Sequence, residues 1–110
     1  MPSSAANGTQ ACTVTTEHTL TTITTAGTYC LMVNLQPAAA GDVFEIRAYV
    51  KTLTGSTERV LYYDVFADDQ PTDDELKITV PIPTVYSTKF TLKQTAGTSR
   101  SIEWIAIDIA

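Results

Sequence analysis

The clearest pattern of hydrophobic and polar positions lies within residues 42–66. From 43 to 51 the even positions are apolar, and three of the odd positions carry charge. A period of two is typical of a β-strand with one buried and one solvated face. Residues 54–57 are turn formers, and 59–66 return as a run rich in Val, Leu, Tyr and Phe, which favour strands. The pattern predicts one antiparallel hairpin.

Three further patterns predict strands on either side of this hairpin. Residues 29–35 form an apolar run, and 76–82 carry apolar residues at the even positions. Pro81 and Pro83 close the second of these, and because proline cannot donate to a ladder, we expect that strand at a sheet edge. Residues 90–93 and 101–107 predict a second hairpin around the turn at 96–98.

The strand count and spacing indicate the fold class. About eight strands recur at intervals of eight to twelve residues, and no segment of useful length has the helical period. We therefore predict an all-β fold, an antiparallel two-sheet β-sandwich with a jelly-roll-like or related topology. At 110 residues the chain is expected to form one domain over 11–110, preceded by a small, polar N-terminal arm over 1–10.

The last strand differs from the others because both of its faces are apolar. Ile102, Trp104 and Ala106 point one way, and an isoleucine stripe points the other. A strand in so small a domain is rarely buried on both sides by its own chain, so we expect a second copy or a partner protein to cover the stripe. The alternative is that the arm folds over it. The predicted protein interface consists of Pro2, Ser3, Ser4, Ala5, Ala6, Asn7, Ile105, Ile107 and Ile109.

Charge and cysteine content narrow the classes of partner. Seven basic residues against twelve acidic ones give a net charge of −5, and the basic residues are scattered. This distribution disfavours nucleic acid and anionic membrane surfaces, so neither is expected as a partner. Cys12 and Cys30 are interpreted as small buried thiols in a protein made in a reducing cytoplasm, with one disulfide as the alternative. No secretory signal is evident at the N-terminus.

Candidate chemistry along the chain is sparse. His18 is the single histidine, and we expect an exposed strand residue rather than a general base. No motif for phosphate, zinc or nucleophilic catalysis occurs, so we predict no enzymatic activity, no catalytic residue, no metal and no cofactor. The acidic loop 68–75 does not match the EF-hand spacing, and a solvated loop is the preferred interpretation over a calcium site. Tyr49 and Tyr62 are the candidate surface aromatic contacts, since Tyr62 or Tyr63 must face solvent.

Three segments carry a resemblance to a known group of proteins. They are Ala-Gly-Asp-Val-Phe-Glu-Ile-Arg-Ala-Tyr-Val-Lys at 40–51, Gly-Ser-Thr-Glu-Arg-Val at 55–60, and Thr-Leu-Lys-Gln-Thr-Ala-Gly-Thr-Ser-Arg-Ser-Ile-Glu-Trp at 91–104. Together they resemble small proteins of tailed-bacteriophage structural gene clusters, similar to capsid cement or decoration proteins. The matching motifs are turn and strand patterns, and they cover under half of the chain.

The resemblance implies a structural role on the virion. Such proteins are β-sandwiches on the outside of the head, where they hold neighbouring capsomers together. It implies a non-enzymatic protein that binds the major capsid protein, associates with itself as a dimer or trimer, is made in the host cytoplasm and resides on the capsid exterior. Two alternatives stay open: a carbohydrate- or receptor-binding module of a phage fibre or spike that uses the exposed tyrosines, and a head-completion or tail subunit.

Overall fold

The computed structural model describes residues 2–109, and the ends of the predicted arm and domain, Met1 and Ala110, lie outside them. Within residues 2–109, nine strands follow one another, with one 3-10 helical turn at Thr72–Asp74. Their bounds are β1 Ser3–Ala11, β2 Glu17–Ile23, β3 Gly27–Asn34, β4 Val43–Val50, β5 Arg59–Ala67, β6 Leu76–Ile78, β7 Ile82–Thr84, β8 Thr88–Ala96 and β9 Ser101–Asp108.

The strands form two antiparallel sheets with jelly-roll connectivity. The first sheet has the order β1-β9-β3-β6, with β7 also paired to β3, and the second has the order β2-β8-β4-β5. This interleaving of early and late strands is that of two Greek keys folded into a double sheet. The predicted all-β sandwich is therefore confirmed. It has nine strands rather than eight because the segment predicted as one strand over 76–82 is split into β6 and β7.

The hairpin predicted within 42–66 is confirmed, and the second hairpin is wrong. β4 and β5 pair in antiparallel register, with Phe44, Ile46 and Ala48 buried as their alternation predicts. β8 and β9 do not pair, because the turn after β8 carries the chain from the second sheet to the first. Among the described strands, β4 and β5 are the only consecutive pair that share a ladder.

The core lies between the sheets and draws on both. Leu31, Val33, Ile102 and Ala106 come from the first sheet and have no exposed surface, and the second sheet contributes residues buried to the same degree: Phe44, Ile46, Ala48, Phe90 and Leu92. Each large side chain buried in this way contributes about 1.5–3 kcal/mol. One apolar core between two sheets fits the predicted sandwich.

A buried carboxylate ties the two sheets together at one end of the sandwich. Asp42, only 1% exposed, accepts hydrogen bonds from the backbone N–H groups of Ala39 and Thr98 at 3.0 Å each and pairs with Arg100 Nε at 2.7 Å. Burial raises the pKa of Asp42, but these three interactions outweigh it and hold the pKa below its ordinary value. Gly97 fits beside Asp42 because it has no Cβ and takes φ +93°.

The structure places residues 3–10 of the N-terminal arm predicted over 1–10 in a strand of the first sheet. Ser3–Ala11 form β1, an edge strand of the first sheet that pairs with β9 along its length. The arm therefore lies beside the last strand, within the sheet, and it does not fold over the isoleucine stripe. Ala6, named as an interface residue, packs against the core instead, because its register partner is the buried Ala106.

Candidate protein interface

The last strand has the two faces that its sequence predicts. Ile102 and Ala106 are fully buried and Trp104 packs against the core, so these three residues form the inner face. Ile105 and Ile107 lie on the opposite face and are half-buried. Ile109, just beyond the strand, is 37% exposed. The strand is central in its sheet, between β1 and β3, so the half-burial of its isoleucines comes from flanking side chains.

An apolar row runs across three neighbouring strands on this outer face. Met32 on β3 is the register partner of Ile105 on β9 and also of Ile78 on β6. Partners in register lie on the same face of a sheet, about 4.5–5.5 Å apart. Ile105, Met32 and Ile78 therefore form one continuous row, and we call these three residues the apolar row.

The exposed end of the apolar row is the edge strand β6. Leu76 is 58% exposed and Ile78 is 51% exposed, and Val80, just after the strand, is 53% exposed. Sequence reasoning recognised this segment as an edge strand but did not assign its apolar residues to the outer face. The three side chains extend the apolar surface from the centre of the sheet to its edge.

The polar residues that face inward from β6 and just after it, Lys77 and Thr79, fix the orientation of the strand. Lys77 lies over the Phe66 ring at 5.4 Å and pairs with Asp74 at 2.9 Å, so its methylene chain closes the side of the sandwich. Thr79 is buried, and its hydroxyl accepts the Leu31 N–H at 3.0 Å. The apolar positions of 76–82 alternate as predicted, but Lys77 and Thr79 occupy the inner side.

The structure brings part of the predicted N-terminal contact to the same face. Ser4 is the register partner of Ile107, and Asn7 is the register partner of Ile105. Both are exposed, and the Asn7 side-chain amide donates to Ser4 Oγ at 2.9 Å. Pro2, Ser3 and Ala5, also named as interface residues, are exposed at the start of the chain. Small polar residues thus border the isoleucines on the β1 side.

A shallow groove includes Met32 and Ile105, two of the three residues of the apolar row. It has a volume of about 240 Å³ and is lined by Met32, Asn34, Leu76, Glu103, Trp104 and Ile105. The Asn34 amide donates to Glu103 at 3.3 Å, which fixes the polar rim of the groove. An apolar floor with a polar rim is the arrangement found in protein–protein contact patches.

The two thiols carry no chemistry at this face. Cys12 and Cys30 are both buried and free. Burial raises the pKa of Cys12 to about 11 and also raises the pKa of Cys30. At neutral pH both groups are therefore protonated and behave as small apolar side chains.

The structure corrects one of the two predicted tyrosine contacts and places the other, Tyr49, on an outer face. Tyr62 lies on the inner side of β5, opposite Ala48, and packs against the core, so it is not a surface contact. Tyr63 is the residue that faces solvent, with 49% of its surface exposed. Tyr49 lies on the outer face of the second sheet, but its hydroxyl donates to Glu17 at 2.7 Å and Lys89 lies 4.5 Å from its ring.

The remaining candidate groups serve the fold. His18 lies on β2 as predicted, but it is half-buried rather than exposed, and its Nε2 accepts the Thr13 N–H at 3.0 Å. In the acidic loop, Asp68 accepts the Gly41 N–H at 2.8 Å and Asp74 pairs with Lys77. Over residues 2–109, no three His, Cys, Asp or Glu side chains lie close enough together to hold a metal ion.

Comparisons with known proteins add no relative to this description. No protein-family model, no curated protein and no solved structure matches the chain. Within the described residues, no helix is long and apolar enough to cross a membrane.

Proposed function

We propose that this chain is a non-enzymatic structural protein of a tailed-bacteriophage virion that binds the major capsid protein through the outer face of its first sheet. The observation that carries the proposal is the apolar row Ile105–Met32–Ile78, which is continuous across three strands and ends at an exposed edge. The phage context rests on the resemblance of residues 40–60 and 91–104 to capsid decoration proteins.

The apolar row supports a docking role because Ile78 is 51% exposed and the half-buried Ile105 and Met32 keep part of their surface in contact with solvent. Monomeric proteins seldom expose a contiguous apolar patch on a sheet face, and such patches mark surfaces that contact other molecules. The core supports the sheet beneath, since Leu31, Val33, Ile102 and Ala106 on its inner side are fully buried. An apolar face supported in this way suits a protein that binds many equivalent sites and undergoes no catalytic cycle.

The proposed contact would add buried area between capsid subunits. A standard interface buries about 1,600 Å² in total, and apolar area contributes about 25 cal/mol for each Å² removed from water. The exposed aliphatic side chains of Leu76, Ile78 and Val80 would form the centre of such a contact, and Asn7, Asn34 and Glu103 its polar border.

A matched pair of substitutions tests the proposal. Ile78→Lys places a charge in the apolar row, and Leu61→Lys places the same charge on β5, at the far edge of the second sheet, where the leucine is 56% exposed. Cosedimentation with phage heads stripped of the protein should show affinity reduced by about 30-fold or more for Ile78→Lys, as for a central contact residue. Leu61→Lys should bind as the parent does. Equal binding by both variants would contradict the proposal.

Deleting 2–10 is not a clean test of the same contact. That deletion removes β1 and leaves the β9 edge unpaired beside Trp104, so it would change the fold as well as the interface. Ser4→Glu and Asn7→Glu alter the surface without removing the strand. Both should weaken binding to heads less than Ile78→Lys does, since they lie at the border.

Carbohydrate binding on a phage fibre or spike is the second candidate, and one observation favours it. Tyr63 exposes about half of its surface beside Arg47, whose guanidinium lies 4.6 Å from its ring. Aromatic faces flanked by charged side chains can stack on sugars. A glycan array with Tyr63→Ala and Tyr49→Ala distinguishes the candidates, since sugar binding lost in either variant would favour this one over capsid decoration.

A further inference from the structure

β1 is attached to the rest of the molecule along one side only. It pairs with β9, and its opposite edge faces solvent. Its side chains are small or polar, and most of them are exposed. A strand with so little apolar burial is held chiefly by the backbone ladder, so another copy of the same strand can replace it without loss of contacts.

Small residues of β1 pack against β9 at two positions. Gly8 lies opposite Trp104, and a Cβ at Gly8 would lie 3.4 Å from the Trp104 ring, an ordinary van der Waals distance. Ala6 packs against the core beside Ala106. The contacts of Ala6 and Gly8 with β9 need no other part of the chain, so they form in the same way whichever copy supplies β1.

The connection from β1 to β2 stores backbone strain. Thr15 has φ +71°, a left-handed conformation that β-branched residues rarely adopt. It is held there by its N–H, which donates to Gln94 O at 2.7 Å, and by the turn in which the Thr16 N–H donates to Thr13 O at 3.0 Å. Opening this turn into an extended segment would relieve the strain.

We propose that two copies of this chain exchange β1. In the exchanged dimer the β1 of each copy lies beside the β9 of the other, and residues 13–16 are extended. Every β1–β9 hydrogen bond and the Gly8–Trp104 contact are kept, and two strained Thr15 residues are relaxed. Short, strained hinges favour this kind of closed, two-fold exchange. The inference does not depend on the partner named under the proposed function.

Two substitutions at Thr15, in the turn 13–16 that opens on exchange, should shift the equilibrium between monomer and exchanged dimer in opposite directions. Thr15→Gly adopts positive φ without strain, so it should favour the closed monomer. Thr15→Pro fixes φ near −65° and removes the N–H that donates to Gln94, so it should favour the exchanged dimer. By analytical ultracentrifugation, each should change the dimer dissociation constant about tenfold or more relative to the parent, in opposite senses.

Cross-linking identifies which copy supplies β1, and it uses the native hinge. Thr9 and Glu103 are exposed register partners across β1 and β9. In Thr9→Cys/Glu103→Cys, a short bismaleimide should join two chains in the dimer fraction. Asn34→Cys/Glu103→Cys is the control, because it spans β3 and β9 of one core and should give links within a chain in both forms.

The outcomes decide the proposal even if Thr15→Pro fails to fold. Links between chains for the Thr9 pair, together with links within a chain for the Asn34 pair, support strand exchange. Links only within a chain for the Thr9 pair in a dimeric sample overturn it, since the dimer would then form through another surface. A double-cysteine protein that stays monomeric up to millimolar concentration, with Thr15→Gly unchanged from the parent, also overturns it.

Discussion

The outer faces of the two sheets differ in how their side chains find partners. On the second sheet, Tyr49 donates to Glu17 at 2.7 Å, and Lys89 lies over the Tyr49 ring and pairs with Glu58 at 2.6 Å. On the first sheet, the apolar row presents Ile105, Met32 and Ile78 with no polar group that could bond across the face. The outer face of the second sheet carries ion pairs and ring contacts at its centre, and that of the first carries the apolar side chains of Ile105 and Met32 there.

A second cluster on the outer face of the second sheet also combines an ion pair with a contact between a cation and a ring. Arg47 pairs with Glu45 at 2.9 Å and lies over the Tyr63 ring, and the Tyr63 hydroxyl donates to Glu45 at 3.1 Å. These groups lie on neighbouring strands, so they hold β4 and β5 in register. These contacts on the outer face of the second sheet stabilise the fold, whereas the apolar row of the first sheet makes no comparable ion pair or ring contact within the described residues.

Replacing Asp42, which joins the two sheets at one end of the sandwich, should lower the stability of the fold most. Asp42→Ala leaves the Ala39 and Thr98 N–H groups and Arg100 without their shared acceptor. We expect the free energy of unfolding to fall by about 3 kcal/mol, since each unsatisfied buried group costs about 1–3 kcal/mol. Urea unfolding followed by tryptophan fluorescence measures the loss. Asp73→Ala, in the exposed 3-10 turn, is the control and should change little.

The Asp42 carboxylate also makes the stability of the fold depend on pH. The pKa of Asp42 in the folded chain is held below its ordinary value of about 3.9, so the unfolded chain takes up the proton first as pH falls. The stability that Asp42 provides is complete above about pH 5 and is lost as the pH falls through the folded pKa. If Asp42→Ala and the parent lose stability in parallel between pH 5 and pH 2, this account of the tie is wrong.

Removing the charge of Arg47, on the outer face of the second sheet, should have a smaller effect on stability than replacing Asp42. Arg47→Met keeps the length of the side chain but leaves Glu45 without its ion pair. Both side chains retain contact with water, so we expect a loss of about 1–2 kcal/mol, less than for a fully buried pair. Self-association and head binding should not change. Arg59→Met, an exposed arginine on β5, is the matched control in the same denaturation assay.

The second face was predictable from sequence because its pattern is local. Residues 43–51 alternate so regularly that the inner positions Phe44, Ile46 and Ala48 follow from period alone. The turn at 54–57 lies between the two strands that pair, so both members of the hairpin are near in sequence. The fold class follows as well, since short strands without helical segments leave few layer architectures.

The rest could not be predicted because its partners are distant along the chain. The pairing of β1 with β9 joins the first residues to the last, and no local pattern indicates it. Residues 90–107 look like a hairpin, yet the turn at Gly97 crosses between sheets because Asp42, 55 residues earlier in the sequence, binds the Thr98 N–H there. Tyr62 and Tyr63 differ in exposure only because Tyr62 is the register partner of Ala48.

A smaller effect concerns the hydrogen bond between Tyr49 and Glu17. The bond raises the pKa of Tyr49, and burial adds to the rise. Below about pH 10 its contribution is complete, and it is lost as the pH rises through the folded pKa, because the unfolded chain ionises first. Tyr49→Phe should lower stability by about 1 kcal/mol at pH 7.

The stability of the fold at alkaline pH provides a second test of the hydrogen bond between Tyr49 and Glu17. The fall in stability above pH 10, measured by urea unfolding at pH 8 to 11, should be shallower for Tyr49→Phe than for the parent. The pKa of Tyr62 is raised by burial and that of Tyr63 by burial and by Glu45, so part of the slope will remain. Tyr86→Phe, exposed between β7 and β8, controls for loss of a hydroxyl. An unchanged slope for Tyr49→Phe would show that the bond to Glu17 does not persist in solution.

Substitutions at the exposed end of the apolar row should change the stability of the fold least. Leu76→Ser and Ile78→Ser remove exposed aliphatic side chains from the edge of the apolar row. Because more than half of each residue is exposed in the folded chain, each variant should change the free energy of unfolding by no more than about 0.5 kcal/mol. Binding to stripped phage heads, measured by cosedimentation, should fall in the same variants. A loss above about 1.5 kcal/mol for either one would mean that the first face, like the second, works for its own fold, and the row could no longer be treated as a surface kept for a partner.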